Sequence, residues 1–309
     1  MVKRLVLGVL LAALAVLAAV ASAPDVADYS PSNRGWNGLS RLLEELRIMG
    51  LEVVVASAPL YTLTPSPGLA VILISPSGVE GAEVSWLNAL MSAGGRVILL
   101  EDFGEGGEIL HRLGAPVRLA GAPVLDDVLY SKQPIFPVAT STGALPGFLA
   151  GSALILNVPS ALELEPREGW ETVVVAETSE YSFMDLNYNG VRDSGEPVGP
   201  FPVAVLARRR GEPGFLLVIS DPSVLINCML GEGDNARLLA AALEGVEVVV
   251  VDVYHRPRST LEEARAALRV GFNALLSAFR DPLTGCALIT LITVMVSVEA
   301  YKRGVRVWR

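Results

Sequence analysis

The sequence predicts an α/β protein built on a parallel sheet covered on both faces. Three observations lead there. Short apolar runs recur without alternation, as in Ala70-Val71-Ile72-Leu73-Ile74, Arg96-Val97-Ile98-Leu99-Leu100 and Val246 to Val251. A strand buried on both faces reads as such a run. Segments with helical spacing lie between these runs, and Gly or Pro clusters separate them.

The elements follow in order. Ser32 or Asn33 is placed to cap a helix running to about Met49, with Leu39, Leu42, Leu43 and Leu46 on one face. Gly50 ends it and Leu51 to Ala56 reads as a strand. A Pro-rich connector leads to the strand at Ala70–Ile74, then a helix from about Gly81 to Ser92. Gly94-Gly95 turns the chain into the strand at 96–100. Residues 120 to 150 are rich in Pro, Gly, Ser and Thr and read as a long excursion or flap. From 153 to 220 the signal is mostly strands: Ala153 to Asn157, Thr172 to Ala176, Val203 to Ala207 and Phe215 to Ile219. Arg210 to Gly214 is the expected hairpin turn between the last two. Asp234 to Leu243 reads as a helix and Val246 to Val251 as a buried strand. Ser259-Thr260-Leu261-Glu262 has capping-box spacing. The helix after it aligns Leu261, Ala264, Leu268, Phe272, Leu275 and Phe279 and ends at Arg280.

Both ends of the chain are apolar. Leu5 through Ala23 carries no charge and follows Lys3 and Arg4, which reads as a signal peptide or signal anchor. Pro282 through Val298 is uncharged and spans roughly 25 Å as a helix, just short of a hydrocarbon core. Lys302, Arg303, Arg306 and Arg309 follow it. The positive-inside rule then puts both termini in the cytoplasm and the main domain outside. The competing reading is a buried core helix with a basic tail. The expected layout is a signal segment at 1–23, an extracytoplasmic domain at 24–258, an amphipathic connecting helix at 259–281, a transmembrane helix at 282–300 and a basic tail at 301–309. With 24 basic and 33 acidic residues the formal charge is −9, so no nucleic acid is expected as a partner through general electrostatics. The two cysteines, Cys228 and Cys286, do not make a disulfide framework.

One motif carries chemistry. Asp185-Leu186-Asn187-Tyr188-Asn189-Gly190-Val191-Arg192-Asp193-Ser194-Gly195-Glu196 matches the twelve-residue calcium loop at every specified position. Asp185, Asn187 and Asn189 stand at positions one, three and five. Gly190 is the turn at six, Val191 offers its carbonyl at seven, Asp193 is at nine and Glu196 at twelve. Calcium takes six to eight oxygens, which alternate Asp and Asn side chains plus a bidentate Glu supply. The competing reading is a polar turn, since Asn-Gly alone is a hairpin signal. Strand signals before the loop and Pro197 and Pro200 after it leave no room for the helix pair of a calcium sensor. A static site with Kd of about 10⁻⁴ to 10⁻³ M is expected.

Several predicted strands end in acids: Glu101-Asp102 after Leu100, Asp221 after Ser220, and Asp252 after Val251, with Ser75 after another and His255 nearby. Ligands of open α/β sheets bind at such strand ends. The functional readings are a metal site or an acid–base pair; the other is that these residues cap the turns that follow. Gly104-Glu105-Gly106-Gly107 fits neither a dinucleotide fingerprint nor a P-loop.

Short motifs also recur in one known group. They are Tyr29-Ser30-Pro31-Ser32-Asn33-Arg34-Gly35, Ile74-Ser75-Pro76, Gly94-Gly95-Arg96-Val97, Val218-Ile219-Ser220-Asp221-Pro222-Ser223 with Asn227, and Asp234-Asn235-Ala236-Arg237. Together they resemble membrane-anchored archaeal and bacterial proteins of unknown function with a class I glutamine-amidotransferase-like domain, often encoded near MoxR-type ATPases. The resemblance covers most of residues 27 to 256. It implies a flavodoxin-like sandwich, here with a β-rich excursion and transmembrane helices at both ends. Amidotransferases of this fold use a Gly-x-Cys-x-Gly elbow and a His-x-Glu. Here Cys228 sits in Asn227-Cys228-Met229 and His255 is followed by Arg256-Pro257. The expectation is therefore a non-catalytic, membrane-tethered binding or scaffold domain with a calcium loop, meeting a protein partner or small ligand. The alternatives are a hydrolase using Asp221, Asp252 and His255, or an accessory subunit of a transport system.

Overall fold

Apolar runs become strands and segments of helical spacing become helices through most of the chain. The computed structural model describes residues 24–256 and 260–280, with single positions at 20, 290, 293, 294 and 298. In chain order the first elements are α1 (Ser40–Ile48), β1 (Glu52–Ala56), β2 (Leu69–Ile74), α2 (Gly81–Ser92), β3 (Arg96–Leu100) and α3 (Gly106–Leu113). A run of strands follows: β4 (Val117–Asp126), β5 (Val138–Ser141), β6 (Ala153–Ile155), β7 (Ser160–Leu164), β8 (Trp170–Glu177), β9 (Ser182–Met184) and β10 (Pro202–Arg209). The last are β11 (Phe215–Ile219), α4 (Asn235–Ala242), β12 (Val248–Asp252) and α5 (Thr260–Arg280).

The large sheet has nine strands in the order β1-β12-β2-β3-β11-β10-β8-β5-β6. The first five run parallel, in register Val55↔Val251, Val251↔Ile72, Ile72↔Ile98 and Leu99↔Val218. From β11 onward every pairing is antiparallel. A second sheet, β7-β4-β9, is antiparallel throughout.

Every residue of β2 and β11 is buried, because both sheet faces are covered. On one face Leu42 and Leu46 of α1 and Leu238, Leu239 and Ala242 of α4 pack with Ile72, Ile98 and Leu217. On the other, Leu87, Leu90 and Met91 of α2 and Ile109, Leu110 and Leu113 of α3 pack with Val71, Leu99 and Val218. Each fully buried Leu or Ile contributes about 1.5–3 kcal/mol. The connection leaving β3 thus goes to one face and the connection leaving neighbouring β11 goes to the other. Their C-terminal ends form a topological switch point, where open sheets take their ligands.

Two expectations are corrected. The fold is not a flavodoxin-like, amidotransferase-like sandwich with a β excursion. It is dominated by sheet, because the 153–220 region adds to the parallel strands. The hairpin at Arg210–Gly214 lays β10 along the free edge of β11, and β8, β5 and β6 extend it. Residues 120–150, read as an excursion or flap, contain the end of β4 and all of β5. Nor is any helix among the described residues long and apolar enough to cross a membrane. The longest of them, α5, carries Glu262 and Glu263 in its first turn and Arg265 after them. This corrects the expectation of transmembrane helices and of a cell-membrane location with an extracytoplasmic domain and cytoplasmic C-terminus. The apolar segments at 5–23 and 282–298 lie outside the described residues apart from single positions.

A smaller difference has a local cause. The first helix starts at Ser40, not at Ser32 or Asn33. Asn33 instead folds the chain back: its Oδ1 accepts Gly35 N–H at 2.7 Å and its Nδ2 donates to Ala27 O at 2.9 Å. Such side-chain turns compete with helix.

The chain divides into two units, Asp25–Pro257 and a second made of Met1–Pro24 with Arg258–Arg309. In the second, Arg265 of α5 donates to the carbonyls of Val20 at 3.0 Å and Pro24 at 3.3 Å.

Close backbone packing gives a direct check. A Cβ on Gly214, at the start of β11, would sit 2.2 Å from Met91 O and 2.4 Å from Gly95 O. Gly214→Ala is expected to destabilise by about 1–3 kcal/mol or more. Gly107→Ala, inside α3 with no side-chain atom nearer than 3.8 Å, is expected to stabilise by about 0.5–1 kcal/mol. Urea denaturation midpoints of the two variants measure both.

Candidate functional site

The switch point is lined by groups that the strand ends deliver. Ser75 N–H donates to Leu100 O at 2.9 Å, and Glu101 N–H donates to Ile219 O at 3.0 Å, so the pairing of β2, β3 and β11 runs one residue past the strands. Beyond that, polar side chains take over. Glu101 is fully buried and its carboxylate accepts the N–H groups of Asp102 (2.9 Å), Gly104 (2.7 Å) and Gly106 (3.2 Å). It holds the loop into α3 and is a structural cap. A Cβ on Gly106 would meet Glu101 Cγ at 2.5 Å and one on Gly104 would meet Glu101 Oε1 at 2.9 Å, which explains those two glycines.

Asp102 and Asp221 follow on neighbouring strands. Asp221 is fully buried; its Oδ1 accepts Ser223 N–H at 2.7 Å and its Oδ2 accepts Asn157 N–H at 2.6 Å. Burial pushes its pKa up to about 7, against those two N–H groups, and the charge of Asp102 adds to the rise. Burial likewise pushes Asp102 up to about 6, opposed by the Phe103 N–H and aided by Glu101. Burial first, then the charges of Asp221 and Asp102, raise the pKa of Tyr29, and the Ser223 side chain opposes the rise. Asn157 Nδ2 donates to Ser223 Oγ at 3.2 Å. Two non-glycine residues here hold left-handed backbone, Tyr29 (φ 54°) and Ser75 (φ 44°). Strain of this kind gathers at functional sites. Trp36, Phe103 and Tyr254 stand exposed on the surrounding segments. The chemistry available is two carboxyl groups on neighbouring strand ends whose burial moves their proton exchange towards neutral pH.

The acids of β12 are engaged elsewhere. His255 Nδ1 lies 2.8 Å from Asp252 Oδ2, and its Nε2 lies 2.7 Å from Glu83 Oε2. All three side chains are buried, at 2% exposure or less. Asp252 and His255 are therefore brought together as a pair, while Asp221 is held by Asn157 and Ser223. Sequence reading missed Glu83. Its spacing from Glu80 marks a capping box, which α2 forms, and that ordinary role hid the contact with a histidine 172 residues away.

The remaining sequence candidates fall outside both clusters. His111 is exposed near the end of α3. Cys228 is exposed and desolvation pushes its thiol pKa up, opposite to an activated nucleophile.

The predicted calcium loop leaves β9 directly. Asp185 is 3% exposed and its N–H extends the β9–β4 pairing to Pro123 O at 2.9 Å. Its carboxylate accepts Asn189 N–H at 3.1 Å and Gly190 N–H at 2.8 Å. Gly190 has the left-handed backbone (φ 76°) that the sixth position needs. Glu196 reaches back across the loop, its oxygens accepting Leu186 N–H and Asp193 N–H, both at 2.9 Å. Asn187 and Asn189 direct their amide groups to Asp193 Oδ2 at 2.8 and 2.7 Å, and Val191 N–H donates to Asn189 Oδ1 at 2.8 Å. The first and twelfth carboxylates thus both turn into the loop. Among the described residues no group of three or more His, Cys, Asp or Glu is gathered tightly enough to hold a metal by itself. The loop's donor set is instead a mixture of three carboxylates, two Asn side chains and a backbone carbonyl, as calcium accepts.

Comparison with known proteins adds a family and no activity. No curated protein matches the sequence. Similar solved structures include the mmIFT52 N-terminal domain, at 12% identity and TM-score 0.43 over 66% of this chain and 80% of that one. A putative ThuA-like protein from Bacteroides uniformis is 18% identical, with TM-score 0.33 over 57% and 68%. Cytoplasmic protein STM3548 from Salmonella typhimurium is 10% identical, with TM-score 0.37 over 68% and 87%. Scores this low carry no statement about this chain. The family described as Domain of unknown function (DUF4350) matches residues 29–243, from Tyr29 through the 185–196 loop and Asp221 to the end of α4. With most of its length matched in this way, the chain belongs to the DUF4350 family.

Proposed function

We propose that this protein is a non-catalytic binding domain whose β-rich part is clamped by one calcium ion in the loop 185–196. The observation that carries the reading is the closure of that loop by its own first and twelfth carboxylates. Asp185, Asn187, Asn189, the carbonyl of Val191, Asp193 and Glu196 would hold the ion, with the two Asn side chains turning oxygen instead of nitrogen inward. The clamp is static. It is anchored by β9 on one side and by the Phe183↔Val198 bridge on the other, with no helix pair to open. A protein partner or small ligand would meet the switch point, where acids and exposed aromatic rings sit together. Calorimetric titration of the protein with calcium should give a Kd of about 10⁻⁴ to 10⁻³ M. At 10 mM calcium the stability gain should be about 1–3 kcal/mol. Both should vanish in Asp185→Ala/Glu196→Ala. Equal behaviour of the two proteins would remove calcium from the account.

A second reading, acid–base chemistry at the switch point, is favoured by the Asp102–Asp221 pair. In both groups the folded pKa lies above the unfolded value near 4. Their stabilisation is complete below pH 4 and is lost as pH rises through about 6 and about 7. The melting temperature should therefore fall between pH 5 and pH 8, and less steeply in Asp221→Asn. An unchanged slope in that variant would show that Asp221 does not titrate in this window.

A further inference from the structure

We propose that Glu83, His255 and Asp252 form a buried charge lock whose proton holds the C-terminal edge of the sheet together. The number of protons available to the cluster decides its state. A neutral imidazole donates one N–H and presents one lone pair. Here both ring nitrogens lie within 2.8 Å of carboxylate oxygens. Two hydrogen bonds require either an imidazolium between two carboxylates or a neutral imidazole with one carboxylic acid. Each carries one proton more than the alkaline state. Removing that proton leaves two buried carboxylates and one ring lone pair facing an oxygen, with little water to relieve them.

Among the described residues no cation is bonded to the three side chains; Arg112 of α3 reaches the start of α2, where it donates to Val79 O at 2.6 Å. From α2 His255 meets Glu83, with Glu80 on the exposed side. The segment after β1 contributes Leu60 N–H, which donates to Glu83 Oε1 at 3.0 Å. The segment after β2 contributes Ser77, whose N–H and Oγ donate to the His255 carbonyl at 2.8 and 3.0 Å. Its own segment contributes Asp252, the Tyr254 ring edge-on at 5.0 Å, and Arg256, whose guanidinium donates to Asp28 O at 2.8 Å. Burial alone would lower the His255 pKa; Asp252, then Glu83, outweigh it and raise it.

The lock therefore ties three segments: the chain after β12, the start of α2 and the turn after β1. Through Arg256 and Asp28 it also reaches the strained Tyr29 at the switch point. Loss of the proton should loosen residues 253–256 and 28–29 together. The sign is fixed by the raised pKa: this stabilisation is complete below pH 6.5 and is lost as pH rises through the folded value.

Nitrogen-15 NMR of the histidine-labelled full chain should show His255 titrating above the ordinary histidine value of about 6.5. Hydrogen exchange at 253–256 and 28–29, corrected for intrinsic rate, should accelerate about tenfold or more as His255 loses its proton. Glu83→Gln and Asp252→Asn should each lower the His255 midpoint. Titration of His255 at or below about 6.5 overturns the lock. So does exchange in these segments that follows the intrinsic rate alone. Both readings use the unsubstituted protein, so they stand even if a variant does not fold.

Discussion

Covering both faces of a parallel sheet is the constraint on which the rest depends. The central parallel strands are packed between two helix layers, so their middle positions are Val, Ile, Leu and Ala. Polar side chains are confined to the ends of the strands. Asp102, Asp221 and Asp252 sit where they do because each is at or just beyond the last covered position. Burial continues past the strand ends, and each acid must find a solution: Glu101 takes three N–H donors, Asp252 takes a histidine, and Asp102 and Asp221 raise their pKa values. Three responses to one desolvation cost thus lie side by side along a single edge.

The antiparallel half follows from the same sheet. A parallel sheet with a bare edge would present unpaired N–H and C=O groups along β11. The Arg210–Gly214 hairpin covers that edge with β10, and β8, β5 and β6 follow. The small second sheet ends in β9, and the calcium loop hangs from it through Asp185. The loop is therefore tied to the strand-built half and stands apart from the helix-covered one. In the proposed reading, calcium would therefore clamp sheet structure, and a ligand would meet the switch point separately.

Local signals in the sequence were strong where a single segment decides its own state. The helix at Gly81–Ser92 and the strands at 96–100 and 215–219 stand where periodicity and glycine punctuation placed them. The acids at strand ends were legible, and so was the twelve-residue loop, because each depends on spacing within one segment. What failed was partnership across the chain. Nothing local to Glu83 announces His255, since a capping-box glutamate looks the same with or without a buried partner. Nothing local to β8 or β10 tells whether they form an excursion or extend the main sheet, because alternation is similar in both. The late start of α1 comes from Asn33 bonding back to Ala27 and Gly35, a competition that helix spacing does not register. The apolar segments near the ends drew a membrane reading from hydropathy and the Lys and Arg residues beside them, and no described helix supports it.

Terbium reports whether residues 185–196 take a calcium-like ion through Asp185 and Glu196, because it uses the same oxygen donors and Tyr188 within the loop can sensitise its emission. Calcium binding at the loop should give saturable terbium luminescence on excitation of the protein, displaced by millimolar calcium and absent from Asp185→Ala/Glu196→Ala. Emission that never rises, or that survives the double substitution undiminished, would contradict it.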